Sequence, residues 1–334
     1  MPIPFLFIGI GAGAAALGIG KTVKAGIDQK DANETNSQAQ SIANRATQAA
    51  NRSREASGKA ITDLGEQKLF VLDYSIRPFI ASFEKLRNVE LANSIGMDEL
   101  ENFKIDKQSL DELKEMSSIA TSLLSGAASG AALGAITAFG AYGGAMAFGA
   151  ASTGTAIATL SGAAATNATL AFLGGGSLAA GGLGMVGGTA VLGGLVAGPA
   201  LAVMGVVLGA KASANRDAAY SNLAKARAYE EEMKTVRTLC GGIRMRATMF
   251  ERLLLKLNAV FEPFVIGLEK IIDESGTDFS NYTQRQKATV AAGLSIAFCI
   301  KAVLDTPILS EDGTLTEESG RILAPTQKVI DQYA

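Results

Sequence analysis

Apolar residues in two parts of the chain recur every three or four positions, the repeat of a helix that buries one face. The steps are three and four from residue 69 to residue 83, and they alternate over nearly five heptads from residue 236 to residue 268. Such rows predict helices that pack against partner helices, in a bundle or a coiled coil. We expect these members of the two rows to be buried at helix contacts: Leu69, Leu72, Ile76, Phe79, Phe83, Phe250, Leu254, Leu257, Phe261, Phe264 and Leu268.

The two rows also share local sequence. The nine residues that begin at Pro78, PFIASFEKL, align with PFVIGLEKI beginning at Pro263, an offset of 185. Either an ancient duplication or convergence on one packing pattern explains the match. In both cases each proline predicts a kink in its helix at an equivalent depth.

Between the two rows the composition changes. Residues 116–210 are 95 consecutive positions without Asp, Glu, Lys or Arg, and they include 22 Gly and 26 Ala. Leu, Ile, Val, Met and Phe recur throughout, so the segment does not resemble a flexible linker. As helix it would extend about 140 Å, roughly four bilayer crossings. We call residues 116–210 the uncharged segment and predict that it enters a membrane.

The predicted architecture is therefore all-α, with helical arms that flank a Gly/Ala-rich membrane region. Residues 1–27 form an apolar amino-terminal helix that could anchor the chain, a cleaved signal peptide or a buried helix being the alternatives. Residues 28–115 form one helical arm, and residues 211–334 form the carboxy-terminal arm and tail. A capping box at Ser109 and Glu112 predicts a helix start. A further helix is expected at residues 283–304 and a turn at 311–313, and no β pattern is evident.

Glycines in the uncharged segment recur at intervals of four. Small residues at this spacing lie on one helix face and let another backbone approach closely, as in GxxxG association within lipid. Insertion itself is driven by Leu, Ile, Val and Phe; counted with Met, residues 116–165 hold 11 of these and residues 166–210 hold 17, so the second half should insert more readily. The glycines that we expect to mediate helix association are Gly126, Gly130, Gly134, Gly184, Gly188, Gly194, Gly198, Gly205 and Gly209.

Candidate catalytic chemistry is sparse. The chain has no His, which removes the commonest general base and metal ligand. Cys240 and Cys299 lie in apolar helical surroundings and are expected to be buried free thiols, and two sulfurs do not make a zinc site. With a net charge of −2, the chain has no overall positive electrostatic field that would attract nucleic acid. We expect no catalytic residue, no metal, no cofactor, no small-molecule substrate and no nucleic-acid partner.

The run from Ser161 to Pro199 resembles uncharacterised bacterial glycine-zipper membrane proteins, a resemblance that covers the central third of the chain. Residues 30–270 also resemble α-helical pore-forming toxins in layout, because long amphipathic helices flank an apolar hairpin. The first resemblance implies a membrane location and supplies no activity. The second implies that the apolar hairpin enters a membrane and forms a pore, although this chain has an additional apolar amino terminus and an unusually long insert.

The expected function is membrane insertion with self-association, forming a pore or perturbing permeability. A constitutive membrane-anchored scaffold or membrane-shaping protein is the alternative, as is a soluble oligomer, such as a phage or virion component, that buries the uncharged segment. The expected partners are a lipid bilayer and further copies of the chain. Lys114 precedes the uncharged segment and Lys211 and Arg216 follow it. By the positive-inside tendency this places both arms on the cytoplasmic side of a bacterial inner membrane.

Overall fold

The computed structural model describes residues 22–89, 107–125, 136–137, 139–142, 216–310 and 314–333. The described part is 89% helical and contains no β-strand, which confirms the all-α prediction. A coiled-coil arrangement of the arms stays a prediction. The elements in chain order are α1 (Thr22–Val71), a π-helical turn (Leu72–Ile76), α2 (Arg77–Phe83), α3 (Lys107–Ser125), α4 (Arg216–Ser275), a 3-10 turn (Phe279–Asn281), α5 (Gln284–Asp305), α6 (Glu318–Arg321) and α7 (Leu323–Tyr333).

The chain divides into two compact units. Unit 1 comprises Met1–Arg45 and Ala202–Glu231, and unit 2 comprises Ala46–Leu201 and Glu232–Ala334. In the described part of unit 1, α1 contacts α4 through small and apolar side chains, and the amide of Asn222 donates to the side-chain oxygen of Asn36 at 3.0 Å. Alanines on a helix face let two backbones come close without a bulky layer between them. The apolar cluster of this unit consists of Ala39, Ile42, Leu223 and Ala226.

Unit 2 contains the main hydrophobic core, and both predicted apolar rows face it. Nine of the eleven predicted members are buried, whereas Phe83 and Phe264 are partly buried and pack against the same core. The rings of Phe79 and Phe261 lie 5.0 Å apart, so the two rows meet directly. Gly293 of α5 faces this pair, because a Cβ there would lie 2.8 Å from a ring carbon of Phe79.

Helix α5 passes through the middle of unit 2. Residues on nearly all its sides are buried from Val290 to Leu304. It is the one helix in the described part that is long and apolar enough to cross a membrane. Within the protein, 67% of its most apolar 18-residue stretch is buried, as is typical of a core helix. Lys301 near its end forms an ion pair with Glu112 of α3 at 2.7 Å.

The two prolines are accommodated differently. Immediately before Pro78 the helix widens into the π-helical turn, and the Arg77 amide donates to the carbonyl of Leu72. Pro78 itself has no amide hydrogen to donate, and the bulge before it directs Ser75 inward, where its hydroxyl donates to Asn258 at 2.6 Å. Around Pro263, by contrast, α4 continues as α-helix through to Ser275.

The local helix-start motifs had different outcomes. A helix is confirmed where residues 283–304 predicted one, and Thr283 caps it in a reciprocal capping box with Gln286. Ser109 does not open α3, since that helix already begins at Lys107. The predicted turn at 311–313 lies outside the described residues. Its flanks come together, because the amide of Ser310 donates to the carbonyl of Thr314 at 2.9 Å.

Candidate functional site

The first residues of the uncharged segment continue α3 and lie in unit 2. Met116 and Ala120 are buried in its core. The hydroxyl of Thr121 donates to the carboxylate of Asp73 in the π-helical turn at 2.6 Å. The charge-free run therefore starts as part of a helix that is fixed to the rest of unit 2.

A second stretch of the uncharged segment packs against α1. Residues 136–137 and 139–142 are helical, and Ile136, Phe139 and Tyr142 are buried in the core of unit 2. We call this stretch the docked turn. The hydroxyls of Thr137 and Thr62 lie 2.8 Å apart. The docked turn thus adds both apolar surface and a polar contact to α1.

Two glycines allow this contact. A Cβ on Gly65 of α1 would overlap the carbonyl oxygen of Ile136, and a Cβ on Gly140 would overlap the carbonyl oxygen of Ile61. The clash in each case is with backbone, which cannot rotate away as the end of a side chain can. Glycine at both positions is therefore required for the observed approach.

The buried end of Lys68 joins the docked turn to α5. Its side chain is completely buried, and its Nζ donates to the carbonyl of Phe139 at 3.0 Å and to that of Leu304 at 3.2 Å. Nζ also lies 5.1 Å from the centre of the Phe139 ring. Carbonyls in the last turn of a helix have no amide partner within that helix. Lys68 supplies a donor to such a carbonyl on α5, that of Leu304, and also to the carbonyl of Phe139 on the docked turn.

Backbone contacts complete the junction. The carbonyl of Ala141 accepts from the amides of Ile308 at 2.8 Å and Leu309 at 3.0 Å, just beyond the end of α5. The docked turn is thus held at the carboxy-terminal end of α5 by three features: Lys68, the two glycines and this pair of amides. We call this arrangement the docking site of the uncharged segment.

Burial controls the protonation of Lys68. Loss of hydration lowers the pKa of its amine from 10.5 to about 7, against the opposing attraction of Asp305. Neutral lysines of this kind act as nucleophiles in some enzymes. Here the amine is completely enclosed and engaged by two backbone carbonyls, which favours a structural role. Among the described residues, no group of three or more His, Cys, Asp or Glu could hold a metal ion.

The sequence-predicted residues fall into two sets. The apolar rows surround the docking site in unit 2, and Cys240 and Cys299 are free and buried, as predicted. The nine glycines assigned to helix association lie outside the described residues, as does the apolar stretch 1–21. Sequence reasoning missed Gly65 and Lys68. A clue existed for Lys68, which lies four residues after Leu64 and four before Leu72, inside the apolar face of α1.

Comparison with known proteins leaves the function to be inferred from the residues themselves. No protein-family model matches the chain, and neither a curated protein nor a solved structure matches it. The resemblances to glycine-zipper membrane proteins and to pore-forming toxins therefore remain expectations.

Proposed function

We propose that the protein inserts the uncharged segment into a lipid bilayer, associates with further copies of itself there, and perturbs the permeability of the membrane. The observation that carries the proposal is the run of 95 residues without a charged side chain. One helical crossing needs about 20 apolar residues, so the run is several times longer than a single span. The arms carry the charged residues of an ordinary water-exposed surface. We therefore expect the rest of the chain to stay in water.

The docking site supports this arrangement because it gives the membrane region a rigid base. An inserted segment that is tied to its water-exposed arms needs a fixed exit point. The contacts of Lys68 and Ala141 hold the chain at residue 142. The more apolar second half of the run, residues 166–210, is then the part offered to lipid.

The finer proposal places both arms on the cytoplasmic side of a bacterial inner membrane. Lys114 before the run forms an ion pair with Glu84 at 2.6 Å, and Lys211 and Arg216 follow the run. Cationic flanks at both ends favour an even number of crossings. A membrane-anchored scaffold with the same topology would share these features without forming a pore.

One observation favours a different candidate, a soluble oligomer such as a phage or virion component. Ile136, Phe139 and Tyr142 belong to the uncharged segment, yet protein covers them. If other copies of the chain covered the remainder in the same way, no bilayer would be required. The two candidates differ in whether the purified chain needs detergent.

Alkaline carbonate extraction of the full chain expressed in bacteria tests the proposal. We expect the wild type to stay in the membrane pellet and to release dye from loaded liposomes. Leu195→Lys combined with Val206→Lys should shift it towards the supernatant, because each charge at the centre of a span costs about 3 kcal/mol. Ala224→Lys, an exposed position of α4, is the matched control and should behave as wild type. Full recovery of the wild type in the soluble fraction would contradict the proposal. Pelleting without dye release would contradict the pore and support the membrane-anchored scaffold instead.

A further inference from the structure

The middle of α4 carries positive charge without negative charge. Residues 233–250 include Lys234, Arg237, Arg244 and Arg246 but no Asp or Glu. The helix has three glutamates immediately before this stretch, at residues 230–232. Five turns of one helix therefore present cations alone.

Most of these cations lie on the side of α4 that faces away from the core. Cys240, Ile243 and Ala247 are buried, whereas Arg237 and Arg244 are exposed one turn to either side of Gly241. On the same outward side, Met245 is 61% exposed and Met249 is 41% exposed. We call this surface the cationic face and define it as Lys234, Arg237, Gly241, Arg244, Met245, Met249 and Arg252.

An open cleft lies against the cationic face. Its volume is about 510 Å³, and three cations, Lys234, Arg237 and Arg244, line it together with the hydroxyls of Ser53 and Thr238. That volume lies within the range of about 300–1,000 Å³ for small-molecule sites. Among the described residues that line the cleft, none carries a carboxylate. Its chemistry suits an anionic group that accepts several hydrogen bonds.

The arginines of the cleft have unused hydrogen-bonding capacity. Within the described part of the chain, neither Arg237 nor Arg244 forms an ion pair or a side-chain hydrogen bond. A guanidinium fits phosphate bidentately. Arg237 and Arg244 therefore have donors in place for an anionic acceptor.

We propose that the cationic face of α4 binds the phosphate headgroups of an anionic bilayer. Arg237 and Arg244 contact lipid phosphates through the cleft, and Met245 and Met249 enter the headgroup layer beside them. Cations with adjacent exposed apolar side chains are the combination by which helices lie on membranes. The methionines distinguish this surface from a site for free phosphate, which would need only the donors.

The inference deepens the proposed function by adding a surface contact between unit 2 and the leaflet nearest the arms. It does not require the uncharged segment to cross the bilayer, so the two can fail separately. Basic residues near an anionic surface contribute attraction that falls with added salt. Removal of two arginines should weaken contact about thirtyfold, from roughly fivefold for each charge.

A fluorescent reporter beside the face tests the contact in the full chain. Leu255→Cys, an exposed position one turn beyond Arg252 that does not line the cleft, is labelled with an environment-sensitive dye, and the protein is reconstituted in liposomes of phosphatidylcholine alone or with phosphatidylglycerol. Since Cys240 and Cys299 are buried, labelling is directed to the exposed position. We expect the dye to be shielded from aqueous iodide only in the anionic liposomes, and half a molar sodium chloride should reverse the shielding.

Charge variants assign the effect to the face. Arg237→Gln with Arg244→Gln should abolish the shielding and leave carbonate-resistant insertion intact. Lys225→Gln with Arg227→Gln removes the same charge from exposed positions elsewhere on α4 and should retain the shielding. Equal shielding in neutral and anionic liposomes, or equal loss in both variant pairs, would overturn the proposal.

Competitors identify the source of phosphate. If inorganic phosphate at millimolar concentration displaces the face from anionic liposomes, the cleft is a site for free phosphate and the proposal is wrong. Displacement by duplex RNA but not by phosphate would assign the face to nucleic acid instead. If the wild type is extracted by carbonate but still floats with anionic liposomes, the inference stands and the proposed insertion fails.

Discussion

Replacement of Lys68 by methionine separates the two contributions of this buried side chain. Methionine matches the apolar stem but neither titrates nor donates. Loss of the donor leaves the carbonyls of Phe139 and Leu304 without this partner, which costs about 1–3 kcal/mol for each at every pH. Loss of titration instead changes how the free energy of unfolding depends on pH. The first effect lowers the free energy of unfolding by the same amount at every pH. The second changes the slope of the free energy of unfolding against pH.

The slope has a defined sign. The pKa of Lys68 is about 7 in the folded protein and 10.5 as the model value for an unfolded chain. Between those values the unfolded chain binds more protons, so the free energy of unfolding rises with pH. From about pH 7.5 to about pH 9.5 this lysine contributes roughly 2–3 kcal/mol to the rise. Below about pH 6 both states are protonated, and the contribution becomes constant.

Urea unfolding of the full chain in a nonionic detergent, followed by circular dichroism at several pH values, measures both effects. The wild type should show a steeper rise than Lys68→Met across that window. Lys59→Met is the control: its hydrogen bond with Asp63 raises the pKa of Lys59, so it stays protonated in both states there. Parallel curves for wild type and Lys68→Met would refute the reasoning. They would mean that the carbonyls of Phe139 and Leu304 hold the ammonium charged despite its burial.

Three further predictions follow from the packing and from the glycine spacing. Gly140→Val should detach the docked turn from α1, lowering the unfolding midpoint and exposing residues 136–142 to hydrogen exchange, because its side chain would overlap the carbonyl of Ile61. Leu254→Asp should lower the free energy of unfolding by several kcal/mol, whereas the exposed Lys256→Ala should change it by less than about 0.5 kcal/mol; equal tolerance would contradict the burial. Gly194→Leu with Gly198→Leu should keep insertion and reduce crosslinked oligomers in liposomes, and a persistent oligomer with reduced binding would reverse the assigned roles.

The apolar rows could be predicted because burial of a helix face leaves a periodic trace in the sequence. Phe250, Leu254, Leu257 and Phe261 follow that period, and all four are completely buried. The capping box at Thr283 was not needed for the prediction, since the apolar helix after it was evident by itself. Local periodicity thus located helices and their inner faces correctly.

The docking site could not be predicted in the same way. The contact between Gly65 and the docked turn joins parts of the chain about 70 residues apart, and no local pattern specifies such a pair. Ser109 illustrates the related failure of a short motif. A capping box stabilises a helix where that helix starts, whereas Ser109 lies inside α3, in which Lys107 is already helical.

Glycine spacing alone does not tell whether a helix approaches protein or lipid-embedded neighbours, since both arrangements require the same absence of a Cβ. Gly140 demonstrates the point, because this glycine of the uncharged segment packs on the backbone of α1 within unit 2. A helix that enters lipid differs from one that protein covers in its number of Leu, Ile, Val and Phe side chains, because these drive membrane insertion. The half of the uncharged segment that contains the docked turn has 11 of Leu, Ile, Val, Met and Phe, and the other half has 17. Under the proposed function, a less apolar half that protein can cover, followed by a more apolar half, would suit a segment that inserts conditionally. The docking site that holds its first half also depends on Lys68 and Gly65, which lie outside the charge-free run.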